Sequence, residues 1–189
     1  TGSRRRTKNF AFIDEAESFS KQFRQRMMEA AEQDVKTHEA KQPALEKFKL
    51  LPKVTEIMLR KDLEEHLLDN GILEAIRVWL EPFDDAVLPS VDLQISLLDS
   101  LAKMKIETDH LKESGIGRII MFMYNCPRFI PEVKRKAGDL IAKWCKPILR
   151  TSSAAAKNVN SDEEQQRPAK RLVLKKGEKD LEIDMERVH

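Results

Sequence analysis

Cysteine is scarce in this chain of 189 residues, where Cys126 and Cys145 are the only two. Two cysteines cannot build the disulfide framework of a small secreted domain, and they suit a reducing compartment better. They read as small apolar packing groups. Six glycines and eight prolines are too few for a turn-dense all-β fold. Aromatic residues are only 6% of the chain. No run of about 18 apolar residues occurs, so no segment is expected to span a membrane. The basic first residues lack the apolar stretch of a secretory signal. An excess of charge is missing too, since 34 Lys+Arg against 32 Asp+Glu leave a net +2. That balance excludes a uniformly basic nucleic-acid coat and a uniformly acidic tail protein.

Motifs for chemistry are also missing. His38, His66, His110 and His189 are scattered, none four residues from another and none beside a cysteine. Zinc sites need clustered nitrogen or sulfur ligands, so no metal is expected. Gly115-Ile116-Gly117 lacks both a further glycine and a Lys-Ser/Thr pair, so it is no phosphate loop. No G-x-S-x-G nucleophile turn occurs. The reading is of a protein without catalytic residues and without a cofactor.

What the chain does have is charge and helical periodicity. Charged residues are 35% of it, against about 25% in an average domain. Phe12, Ala16, Phe19, Phe23, Met27 and Ala30 recur at spacings of three and four, as on one face of a long helix. Pro43 can open a second helix, and Pro52 either interrupts it or starts another. Asp62 is a candidate N-cap. Asn70-Gly71 ends a short helix, because glycine accepts the left-handed conformation there. Ile72, Leu73, Ile76, Trp79 and Leu80 form the next apolar face, which Glu81-Pro82 stops. Ser90 caps a helix to about Met104. The apolar run from Ile116 to Tyr124 suits a buried central helix, or a strand on length alone. Pro131 opens the last helix and Pro147 closes it. The expected fold is all-α, a bundle of about seven or eight helices with disordered tails. Residues 1–9 read as a disordered basic arm, 10–42 as an N-terminal helical extension, 43–150 as the helical domain, and 151–189 as a disordered mixed-charge tail.

The near-zero net charge hides segregation. Asp62 to Asp85 holds eight acids and one base, a net −7, while Lys112 to Arg150 holds nine bases and three acids, a net +6. Opposed blocks can be plain solvated helix faces, or they can orient a charged partner. Two interhelical loops carry large apolar residues, Phe83 beside Asp84, and Phe129-Ile130 between Pro127 and Pro131. Such residues either staple a loop to the core or wall a pocket for a partner's aromatic side chain.

Trp79-Leu80-Glu81-Pro82, Leu88-Pro89, Ser114-Gly115-Ile116-Gly117-Arg118 and Ala142-Lys143-Trp144 with Lys146-Pro147-Ile148 occur in order over residues 44–150. This pattern resembles the central domain of the IWS-one/Spn-one transcription elongation factors. That domain is related to the right-handed helical bundle at the N-terminus of elongation factor TFIIS. The helix before it resembles the extension that precedes the domain.

The resemblance implies a non-enzymatic nuclear elongation factor that travels with RNA polymerase II and acts in chromatin maintenance and mRNA processing. Its main partner would be a short disordered segment of the histone chaperone Spt-six. The protein itself is expected to be a monomer that contacts no membrane. Partner-binding loops of the family correspond here to Phe83-Asp84 and to Asn125 through Ile130. Arg77 stands where members carry a basic residue connected with partner binding. On this reading Asp84 accepts hydrogen bonds from the ligand, and Phe83 and Phe129 wall a pocket. Arg77, Arg118, Arg128 and Lys143 pair with ligand acids, and Phe122, Tyr124 and Ile130 complete the set. Phe129→Glu is then expected to weaken binding without unfolding the domain. The alternative is a DNA- or histone-binding chromatin protein acting through its tails, with Arg4, Arg5, Arg6, Lys170 and Arg171 touching phosphates without reading sequence.

Overall fold

A computed structural model describes residues 3–163, with side chains defined for 11–150. Among the described residues every regular element is a helix. The order is α1 (Ser3–Glu39), α2 (Glu46–Met58), α3 (Glu64–Asp69), α4 (Ile72–Leu80), α5 (Val91–Lys103), α6 (Thr108–Ser114), α7 (Ile116–Asn125) and α8 (Pro131–Glu163). The chain divides into a compact unit, residues 1–151, and a second unit, 152–189. The second unit is described only at 152–163, where it is helical.

The ends differ from the sequence expectation. Residues 3–9 belong to α1 and 151–163 to α8, where disorder was expected. The absence of an apolar period reports the lack of a core-facing side, not the lack of a helix. Arg4-Arg5-Arg6 and Ala154-Ala155-Ala156 are strong helix formers that extend a helix already nucleated next to them. Pro147 lies inside α8 and Pro52 inside α2, so neither ends its helix. A proline removes one backbone donor, and a long helix tolerates that with a local adjustment.

The helix α1 packs against α2, α3 and α4. Its buried stripe is Ala16, Ser20, Phe23, Met27, Ala31 and Asp34, while Phe12 and Phe19 of the expected face stand exposed. An apolar-only template missed this rotation, because two of the inward positions are polar. Ser20 Oγ satisfies itself by donating to Ala16 O at 2.7 Å. Asp34 is 1% exposed and caps a different helix. Leu45, at the N-cap of α2, offers no side-chain acceptor. Asp34 Oδ1 instead accepts the Glu46 N–H at 2.8 Å, and Oδ2 accepts the Lys47 N–H at 3.0 Å. Asp34→Ala leaves both donors without that partner and is expected to cost about 2 kcal/mol. Chemical denaturation checks it, and Asp34→Asn, which keeps one acceptor, should lose less.

The helix α4 sits at the centre, against α1, α3, α6 and α7. Ile72, Leu73, Ala75, Ile76, Trp79 and Leu80 are all buried. The Trp79 indole donates to Met27 O at 2.7 Å and so fastens α4 to α1. Gly71, at φ +83°, makes the turn from α3 into α4. A Cβ there would fall 2.9 Å from Arg24 Nε, the far end of a flexible side chain that can move aside, so it is the backbone conformation that needs glycine. Ser90 caps α5 as expected, its Oγ accepting from Leu93 N at 3.3 Å. Asp62 caps nothing. It pairs with Arg60, and Leu63 stands at the N-cap of α3. The apolar run after Gly115 forms α7, with Ile116, Ile119, Ile120 and Met123 buried. Val133, Ala137, Leu140 and Trp144 are the buried stripe of α8, at helical spacing.

Candidate partner-binding site

Two clefts open beside the end of α4. The first, about 610 Å³, is lined by Arg77, Glu81, Lys112, Glu113, Ser114, Gly115, Arg118, Ile119 and Phe122. It brings Arg77 and Arg118, 41 positions apart in the chain, to one wall with Phe122. Lys112 joins them, a cation that the sequence marked only as part of the basic block. Arg77 Nη1 donates to Glu81 Oε1 at 2.7 Å, while its Nε is buried without a hydrogen-bond partner. Gly115, at φ +66°, ends α6 and begins α7, and the Arg77 side chain runs alongside it.

The second cleft, about 390 Å³, is lined by Met28, Ala31, Val35, Val78, Pro82 and Phe83, with Glu32, Lys47, Glu81 and Asp84. Glu81 lines both clefts. Lys47 is 7% exposed. Burial pushes its ammonium below the usual lysine range, and the nearby Asp34 carboxylate opposes that. The ammonium lies 3.5 Å from Trp79 O, at the carbonyl end of α4, and 5.0 Å from the Phe83 ring centroid. Such placement suits a cation, because carbonyl ends and ring faces are both negative. Asp84 is exposed and free to meet a ligand donor.

The two loops flagged in the sequence are tied together. Arg128 Nη1 donates to Ala86 O at 2.7 Å, so this guanidinium joins the α7–α8 loop to the α4–α5 loop. Ile130 and Tyr124 are 39% and 48% exposed. The Tyr124 ring lies over Gly138, where a Cβ would come within 3.0 Å of it.

Two expected site residues have other work. Phe129 is 4% exposed and belongs to the core, edge-on to Phe122 with centroids 5.4 Å apart. It staples its loop inward and does not wall an open pocket. Lys143 Nζ donates to Ala102 O at 2.6 Å and Met104 O at 3.3 Å. It satisfies carbonyls at the C-terminal end of α5, where a cation is favoured, and does not line either cleft. The side chains of Arg4, Arg5 and Arg6 and the whole of Lys170 and Arg171 lie outside the described residues.

The comparisons with known proteins fit this architecture. A profile of the Med26 family, a TFIIS helical bundle-like domain, matches residues 96–148. A chain in the crystal structure of an Spt6–Iws1(Spn1) complex from Encephalitozoon cuniculi is 34% identical, with a TM-score of 0.69, and the match covers 71% of this chain and 98% of that one. The chain belongs to the IWS1/SPN1 family of transcription factors. Transcription factor iws1 of Schizosaccharomyces pombe is 40% identical over 130 residues, which is 69% of this chain and 30% of that protein. Transcription factor SPN1 of Saccharomyces cerevisiae is 42% identical over 109 residues, 58% of this chain and 27% of that protein. The chain therefore spans about a third or less of the curated relatives it matches.

Proposed function

We propose that this chain is the helical domain through which an IWS1/SPN1-type elongation factor captures a short segment of the histone chaperone Spt6. It does so without catalysis and in the nucleus, and it links Spt6 to elongating RNA polymerase II, with effects on chromatin maintenance and mRNA processing. One observation carries the reading. Nearly the whole of a chain from an Spt6–Iws1(Spn1) complex aligns with this one. The site supports it physically. Arg77, Lys112 and Arg118 offer cations to ligand acids in the first cleft, and the second is mainly apolar with Asp84 exposed at it. A mixed-charge segment with an apolar anchor suits this pair, and complementary charges fix its direction.

Overlapping synthetic peptides tiled across Spt6, titrated into the intact chain by calorimetry, test this. One window is expected to bind at 1:1 stoichiometry, more weakly as salt rises. Absence of binding by every window would remove the proposal.

A further inference from the structure

The α4–α5 loop is held by a residue that neither cleft contains. His38 lies in the last turn of α1. There the chain reverses through Lys41 at φ +60°, with Lys41 N–H donating to His38 O at 2.9 Å and Gln42 N–H to Thr37 O at 3.0 Å. The imidazole lies flat on the Phe83 ring, centroids 4.1 Å apart and planes 9° apart. Its Nε2 is 2.7 Å from Asp85 Oδ2, and this hydrogen bond holds the Asp85 carboxyl below the usual carboxylate range. A single side chain thus grips the apolar and the acidic residue on either side of Asp84.

The turn needs such a grip. Phe83 N–H donates to Val87 O at 2.9 Å and Ala86 N–H to Phe83 O at 2.8 Å. Closing that turn puts Ala86 at φ +64°, a conformation that non-glycine residues rarely adopt and hold only where the surroundings enforce it. Asp84 through Val87 are all exposed, so burial does not enforce it. Tethers do: His38 from α1, Lys47 beside the Phe83 ring from α2, and Arg128 on Ala86 O from the α7–α8 loop.

We infer that His38 is a positioning residue for partner capture. Through the stack on Phe83 and the bond to Asp85, it presets the loop that presents Phe83 and Asp84 to the ligand, and so makes the N-terminal helix part of the binding apparatus. This rests on the reading that the Phe83–Asp84 loop meets the Spt6 segment. A preset loop loses less conformational freedom on binding, so its release lowers affinity without a contact to the ligand being lost.

His38 is partly exposed and outside the core, so His38→Ala should leave the melting temperature nearly unchanged. It should speed amide exchange at residues 83–87 and weaken the binding Spt6 peptide about tenfold. His38→Phe, which keeps the stack, and His38→Gln, which keeps a donor for Asp85, should each recover part of both effects. Unchanged amide exchange in His38→Ala would overturn the inference, and so would unchanged affinity where the wild-type chain binds a peptide. Were no peptide to bind the wild type, the proposed function would fall, while the exchange measurement would still decide whether His38 sets the loop.

Discussion

Phe129→Glu is expected to destabilise the compact unit strongly, not merely to weaken ligand capture. Phe129 is 4% exposed and packs edge-on against Phe122 in the core. Truncating a buried phenylalanine costs about 3–5 kcal/mol. A carboxylate left in its place must be desolvated or protonated, which adds to that cost. Against a total stability of about 5–15 kcal/mol, this removes a large part of the margin. The melting temperature should fall by about 10 °C or more, and scanning calorimetry reads it directly. A fall below about 3 °C would mean that the ring is not part of the core. The sequence reading treated this loop residue as a binding probe, but its burial makes any loss of binding in the variant uninterpretable.

Arg77→Glu should have the largest effect on the partner with little effect on the fold. Arg77 lines the first cleft with Lys112 and Arg118, and its ion pair with Glu81 is about one-third to two-fifths exposed. Pairs that open to water contribute little to stability, so the melting temperature should change by only a few degrees. The reversal removes a cation from the cleft and sets a second carboxylate four residues from Glu81. An anchoring residue is worth about 2 kcal/mol or more, which is a loss of about 30-fold or more in affinity for the Spt6 peptide. Arg118→Glu, on an exposed residue of the same cleft, should lose less. Calorimetric titration separates these outcomes, and a loss below threefold in Arg77→Glu would take Arg77 out of the site.

Legibility varied with how local each cause was. The left-handed Gly71, the Ser90 cap, the stop at Glu81-Pro82 and the start of α8 at Pro131 depend on a few neighbouring residues, and each was readable. The face of α1 was not, because its register depends on which polar residues other helices satisfy. Asp34 looks like an ordinary surface acid until the start of α2 is placed beside it. The same limit applied at the site. Phe83 was visible as a large apolar residue in an interhelical loop, and Arg77, Arg118 and Phe122 from the family resemblance. Lys47 and His38 carried no signal, since a lysine in the first turn of α2 and a histidine at the end of α1 acquire their roles only where both meet Phe83.

By itself the sequence determined the all-α fold class, the approximate number of helices among the described residues, the family, and the opposition of an acidic and a basic block. These follow from periodicity, capping residues and short motifs, which act over a few residues. Tertiary structure alone decided which charges face a cleft and which satisfy a helix end. It placed Arg77 and Arg118 on one wall, sent Lys143 to the carbonyls of α5, and turned Phe129 into the core. The reason is physical. Burial and pairing are properties of residues brought together from distant positions, and the cost of leaving a polar group unpaired or an apolar ring exposed is settled only when those positions meet.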